Sequence, residues 1–195
     1  GIGWATTKIC VAKGASVYLC DIDNLALNKI KKHPSYNKKI FAVYADASKE
    51  SEVIKFFKIV KKQFKYLDGL INNVGVAGPT GSIEKLNSRD WVRTLYVNVV
   101  SHFYFTKQTI PLMKKSKHGS IINISSGAGI MGFPLRSPYV ASKWAIVGLT
   151  KTLAMELGKF KIRVNVICPG TIKGDRMKRV IRDKAKFTKI SPKII

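Results

Sequence analysis

Acidic residues are scarce in this sequence: 11 Asp and Glu stand against 35 Lys and Arg in 195 residues, a formal charge of +24. Such an imbalance raises nucleic acid or an anionic surface as a partner. The basic residues are nevertheless spread along the whole chain, mostly as Lys on what read as outward helix faces, with no arginine-rich arm and no zinc-finger or helix-turn-helix pattern. A solvated basic surface is the simpler reading, and no nucleic-acid partner is expected. Long apolar runs are also missing, none approaching the about 18 residues of a membrane span, so no membrane partner is expected. Cysteine is limited to Cys10, Cys20 and Cys168, each in an apolar segment without metal or redox spacing. Buried, reduced thiols of a cytoplasmic protein are expected, with no metal site. No repeat, low-complexity block or Ser/Gly/Pro-rich linker divides the chain, and a single domain over 1–195 is expected.

What the sequence does contain is an alternation of β-branched apolar runs with helical patterns. The runs lie at 16–20, 40–45, 69–71, 120–124 and 162–167. Apolar residues on both faces of a strand suit a parallel sheet buried between two helix layers. Between the runs, Val53, Phe56, Phe57, Val60 and Phe64 recur at helical spacing, with Lys55, Lys58, Lys61, Lys62 and Lys65 on the other side and Ser48 as the expected cap. The expected fold class is α/β, a doubly wound parallel sheet of Rossmann-like, three-layer form, with ligands bound beyond the carboxyl ends of its strands. Residues 173–195 are basic and amphipathic, and are expected to form a helix or lid over that edge.

Two regions carry candidate chemistry. Gly1-Ile2-Gly3 precedes a helical pattern that ends near Gly14, and resembles the second half of a glycine-rich phosphate turn. Asp21 follows the next strand, near the ~20-residue offset at which a carboxylate accepts from adenosine ribose hydroxyls. The alternative is that Asp21 and Asp23 merely start a helix. Asp46 with Ala47 follows the second of these runs, and Asn72-Asn73-Val74-Gly75 the third; the asparagines could equally be turn formers. In the second region, Tyr139 and Lys143 are four apart within a helical segment that runs to residue 157, which puts their β-carbons ~6 Å apart on one face. An ammonium beside a phenol favours the phenolate and makes a proton donor or acceptor. Ser125 and Ser126 end the fourth long apolar run, and Asn98 lies in a helical segment of roughly 89–113 among Val97, Val99 and Val100, where an amide needs a partner. A buried Asn satisfied by backbone is the plainer account of Asn98.

With Gly1-Ile2-Gly3, Asp21, Asp46, Asn72-Asn73-Val74-Gly75, Asn98, Ser126, Tyr139 with Lys143, and Pro169-Gly170-Thr171-Ile172 in this order, the chain resembles a short-chain dehydrogenase/reductase of the NAD-dependent type. The resemblance implies hydride transfer between a nicotinamide cofactor, NAD rather than NADP, and a secondary alcohol or ketone. It implies catalytic roles for Asn98, Ser126, Tyr139 and Lys143: Tyr139 exchanging the proton, Ser126 bonding the substrate oxygen, Lys143 assisting Tyr139 and holding the nicotinamide ribose, and Asn98 keeping a water that links Lys143 to solvent. Cofactor contacts are implied for Gly1, Ile2, Gly3, Asp21, Asp46, Ala47, Asn73, Gly75, Tyr139, Lys143, Pro169, Gly170 and Ile172. A homodimer or homotetramer is implied as well.

Some features depart from the family's pattern. The first strand and first glycine of the phosphate turn do not precede Gly1, the last strand does not follow, Val74 replaces the usual Ala, and Gly174 stands where a Thr is often found. A piece of a longer protein is therefore expected, poorly folded and inactive when expressed alone. A cofactor-binding module without catalysis is the first rival reading, and a basic nucleic-acid binder the second. The pocket is expected to be small and partly apolar, built from residues 78–81 and 129–133 and the lid. Lys173, Arg176, Lys178 and Arg179 gather there and could steer an acidic substrate, unless they belong to the general surface basicity.

Overall fold

Helices and parallel strands alternate in the computed structural model, which describes residues 1–116 and 118–191. In chain order the elements are α1 (Ile2–Ala12), β1 (Val17–Asp21), α2 (Asn24–Lys31), β2 (Ile40–Tyr44), α3 (Glu50–Gln63), β3 (Gly69–Asn72), α4 (Ser88–Leu95), α5 (Ser101–Ser116), β4 (Gly119–Ile124), α6 (Ser137–Leu157), β5 (Ile162–Ile167) and α7 (Asp175–Thr188). The fold is Rossmann-like α/β. Its strands form two parallel ladders: β1 with β2, Val17 opposite Ile40, and β3-β4-β5, with Gly69 opposite Ser120 and Gly119 opposite Ile162.

The parallel sheet is divided between β1 and β3, the place where the resemblance implies a further strand: among the described residues no strand bonds to both. One helix holds the two ladders to a common core. Val53, Phe56, Phe57 and Val60 of α3 are buried with Phe105 and Leu112 of α5, and Tyr18 and Cys20 of β1, Val43 of β2 and Leu70 of β3 all pack against this cluster. The lysines of α3 stay outside, as its periodicity required. A second cluster joins Met113, Ile121, Leu153, Leu157, Ile162 and Val164 beneath β4 and β5.

Several local expectations are corrected. Ser48 does not cap α3; Lys49 occupies that position, and Ser48 instead donates to Asp46 Oδ1 at 2.6 Å. The helix expected over 89–113 is α4 and α5 joined by one π-turn, Tyr96–Val100, which inserts an extra residue beside Asn98. Strand β5 is buried on alternate residues only: α6 covers Ile162 and Val164, while Arg163, Asn165 and Ile167 are exposed. The three cysteines are free, as expected, but half-buried, since each lies at the margin of the packed layers. The segment expected to act as a lid contains α7, whose Phe187 ring approaches Gly81; residues 192–195 of that segment lie outside the described residues.

Candidate active site

The cofactor end begins at the amino terminus of α1. Gly1 flanks that helix and no side chain caps its first turn, so its first N–H groups are free to meet an anion. Gly3 lies so close to Asn73 that an added Cβ would stand 2.9 Å from Asn73 Nδ2, which brings the glycine turn against the loop after β3. Ile2 shares this turn. Asp21, exposed at the end of β1, accepts from the backbone N–H of Asp23 at 3.0 Å, and Asp23 caps α2 through bonds from Leu25 and Ala26. Asp23 thus starts the helix, and the Asp21 side chain stays exposed at the strand end. Burial alone would raise the Asp46 carboxyl, but two hydrogen bonds from Ser48 and the charges of Lys49 and Arg93 outweigh it and hold it below the usual carboxylate range. Ala47 faces the core cluster; its side chain fills the packing under α3 and does not line the crevice. Pro169 accepts from Gly127 N at 2.8 Å, with Gly170 open and Ile172 exposed just beyond.

The chemistry end is pinned from several sides. Lys143 is 4% exposed, and its Nζ donates to Ile124 O at 2.9 Å and lies 5.7 Å from the Tyr139 ring centroid. Burial, with the Arg176 charge adding to it, lowers this ammonium to about 8. Gly75 makes room for it: a Cβ there would stand 3.5 Å from Lys143 Nζ and 3.2 Å from Asn98 Oδ1. Asn98 is fully buried, accepts from Val76 N at 2.7 Å and donates to Val76 O at 3.0 Å and Ser142 Oγ at 2.9 Å. Its side chain therefore clamps the loop after β3 to α6, the backbone-satisfied account weighed from sequence. Tyr139 is half-buried one turn before Lys143. Ser126 is half-buried at the end of the β4 loop and accepts from Ala128 N at 3.2 Å.

Neighbouring polar residues turned out to be structural. Ser125 donates to Lys143 O at 2.9 Å, tying β4 to α6. Asn72 points inward, donating to Asn123 Oδ1 at 2.8 Å and Thr106 Oγ1 at 3.2 Å, while Asn123 donates to Thr150 Oγ1 at 2.9 Å. This chain of buried amides and hydroxyls locks β3, β4, α5 and α6 together beneath the site.

Two residues near the centre, His102 and Arg136, carry no role in the sequence reading, and Arg176 carries only that of a steering charge at the lid. His102, one turn after Asn98, is buried with Nε2 3.1 Å from Val74 O, an acceptor that assigns the proton to Nε2. Burial and then the Lys143 charge lower it to about 4, so it is neutral. Arg136 and Arg176 reach the loop after β3: Arg136 Nη2 donates to Ala77 O at 2.7 Å and Arg176 Nη2 to Gly75 O at 2.6 Å. The helical offset of His102 from Asn98 was a usable signal; the reach of Arg176, from a distant segment, was not. An open pocket of about 410 Å³ is lined by Gly81, Ile83, Gly132, Phe133, Leu135 and Val140 among others, Val140 being the residue after Tyr139, and joins the two loops expected to form the substrate site.

The fold is thus of the parallel, Rossmann-like α/β class, with Tyr139 and Lys143 together on α6 beside the carboxyl end of β4. The family model described as short chain dehydrogenase matches residues 1–185, and the chain belongs to that family. It is 36% identical over 179 residues to an uncharacterized oxidoreductase of Thermotoga maritima, covering 90% of this chain and 69% of that protein. It is also 36% identical over 181 residues to trans-4-hydroxycyclohexanecarboxylate dehydrogenase of Sinomonas cyclohexanicum, covering 89% and 69%. The crystal structure of NAD+-bound xylitol dehydrogenase matches with a TM-score of 0.91 and 32% identity, over 100% of this chain and 77% of that one. Among the described residues no helix is long and apolar enough to cross a membrane, and no group of His, Cys, Asp and Glu could hold a metal ion.

Proposed function

We propose that the chain carries the cofactor and catalytic residues of an NAD-dependent dehydrogenase or reductase for secondary alcohols and ketones, with Tyr139 as its general acid/base. The observation that carries this reading is the buried Lys143 beside Tyr139, held by Ile124 O and admitted by Gly75. The residues present fit a nicotinamide dinucleotide: an uncapped helix start and small Gly1 and Gly3 at one end, an exposed Asp21 at the ribose position, and open Gly170 with Ile172 at the other. When bound, the nicotinamide supplies or accepts the hydride.

The chain's own residues do the rest. Ser126 orients the substrate oxygen and Tyr139 passes a proton to or from it. Lys143 stabilises the deprotonated ring oxygen through space and bonds the nicotinamide ribose, while Asn98 keeps Gly75 and Val76 close to Lys143. Gly1 to Gly3 with Asn73 receive the pyrophosphate side, and Asp21, an anion, disfavours a ribose 2′-phosphate and selects NAD over NADP. Asp46 and the backbone at Ala47 border the adenine, and Pro169 and Gly170 frame the nicotinamide. A small alcohol or ketone occupies the cavity beside Tyr139, in a cytoplasmic homodimer or homotetramer.

A screen of secondary alcohols with NAD, following absorbance of the reduced cofactor, on a version extended to the length of its relatives, tests this reading. Turnover that is lost in Tyr139→Phe supports it. Turnover that survives the substitution, or a protein that binds the cofactor yet takes no hydride from any secondary alcohol and delivers none to any ketone, refutes it.

A further inference from the structure

We propose that Arg136 is a positioning residue for Tyr139: its guanidinium ties the loop after β3 to the start of α6 and stands over the Tyr139 ring, a role that rests on the acid/base reading of Tyr139. Arg136 directly precedes α6, and its carbonyl accepts the first bond of that helix, from Val140 N at 2.9 Å. Its side chain turns back across the crevice. Nη1 donates to Thr80 Oγ1 at 2.9 Å, Nη2 to Ala77 O at 2.7 Å, and the guanidinium carbon lies 5.2 Å from the Tyr139 ring centroid, within cation–π range.

The cation is costly where it stands. Arg136 is 8% exposed and is in no ion pair within 4.0 Å among the described residues. A buried charge without a close counter-ion destabilises a fold, and a neutral donor could tie the loop with less desolvation. What a neutral donor could not do is place a second cation over a ring whose oxygen carries negative charge in one half of the proton transfer. Lys143 approaches the same ring, at 5.7 Å from its centroid, so Tyr139 has two cations near it. Other charged groups that bear on this pair are Arg176 and Asp183 of α7, Arg176 acting on Lys143 and Asp183 attracting Arg136, while His102 of α5 is neutral.

The same side chain shapes the substrate side. Asn98 fixes Val76 through both backbone groups, and Arg136 fixes Ala77 and Thr80, so the loop hangs between α5 and α6 at two adjacent points. Gly81 N donates to Leu135 O at 3.0 Å and extends the tie to the far wall of the 410 Å³ cavity. Arg136 therefore sets the distance between substrate loop and Tyr139 as well as the charge around the ring.

The test is steady-state turnover, measured on a version extended to the length of its relatives, alongside hydrogen exchange of residues 76–82. In Arg136→Met kcat is expected to fall at least about threefold, with faster exchange in 76–82. Arg136→Lys should restore most of kcat and little of the protection, because a point cation cannot make the forked bonds to Thr80 and Ala77. Thr80→Val should loosen the loop and leave kcat in place. An unmoved kcat in Arg136→Met, or a kcat that falls in step with loop exchange in Arg136→Lys and Thr80→Val, overturns the proposal in favour of a purely structural tie. Should Arg136→Met not fold, Arg136→Gln, a neutral donor, takes its place with the same two outcomes. Failure of the acid/base reading shows separately, as turnover that survives Tyr139→Phe.

Discussion

The two ends of the crevice are built differently. At the chemistry end Lys143, Asn98 and Ser125 are buried around the half-buried Tyr139 and Ser126, and are held by partners from other elements: Lys143 by β4, Asn98 by the loop after β3 and by α6, Ser125 by α6. At the cofactor end the groups are exposed or held by their own turn. Asp21 bonds a residue two positions on, Asp23 caps the helix that it begins, and Gly1 and Gly170 have no neighbour within 4 Å of an added Cβ. The contrast follows from what each end must do. Proton transfer requires side chains fixed to a fraction of an ångström, which only long-range packing supplies. A dinucleotide brings its own surface, so its binding end needs free backbone groups and space.

Substitutions at the two ends should separate along this line. The largest effect is expected for Tyr139→Phe, which keeps the ring and deletes the proton: turnover should fall by roughly 10²- to 10⁴-fold, with NADH affinity by fluorescence changed less than about twofold. A collapse of NADH affinity instead would mean that the two ends are not separable.

Next comes His102. Its folded form binds a proton more weakly than the unfolded chain does, so its stabilising effect is complete above about 6.5 and is lost as pH falls from there to about 4. The loss should amount to about 3 kcal/mol. Denaturation midpoints across this window should fall less steeply in His102→Gln, and parallel curves would show that the ring is not buried as described.

Removing the clamp in Asn98→Ala leaves Val76 N–H and Ser142 Oγ short of a partner and should cost about 1–3 kcal/mol, read by urea unfolding. It should also weaken NADH binding, because Gly75 is no longer held against Lys143. Lys143 itself connects the two ends. Its ammonium is lost as pH rises through about 8, and NADH affinity should decline over the same interval in the wild type and not in Lys143→Met.

The smallest effect on stability, within about 0.5 kcal/mol, is expected for Asp21→Ala at the exposed end. The same change should raise NADP use relative to NAD by several-fold, measured as a ratio of kcat/KM values. An unaltered ratio removes Asp21 from cofactor choice, and a stability loss as large as that of Asn98→Ala would break the contrast between the ends.

How far these features were readable depended on whether they lie within one element. The α3 stripe, the order of strands and helices, and the shared face of Tyr139 and Lys143 follow from periodicity, and the structure repeats them with shifts of one residue at strand ends. Asn98 was marked because an amide among valines needs a partner, yet Val76 and Ser142, 22 and 44 residues away, carry no sequence mark of that pairing. Ser48 was misread as a cap because a serine ahead of a helix has a second option, here Asp46, whose N–H in turn bonds Glu52 at 2.7 Å. Asn72 was grouped with Asn73, although alternation along a strand sends one inward to Asn123 and the other toward Gly3.

The sequence by itself determined which residues are chemically able to act and which elements carry them, since residue type and helical or strand period are local properties. Tertiary structure alone decided that Arg136 and Arg176 converge on the loop after β3 and that Ser125, Asn72 and Ala47 turn away from the crevice. It also decided that Lys143 is dry enough for its ammonium to fall to about 8. Those outcomes depend on which distant surfaces come together and exclude water, a property of the packed chain that no single segment encodes.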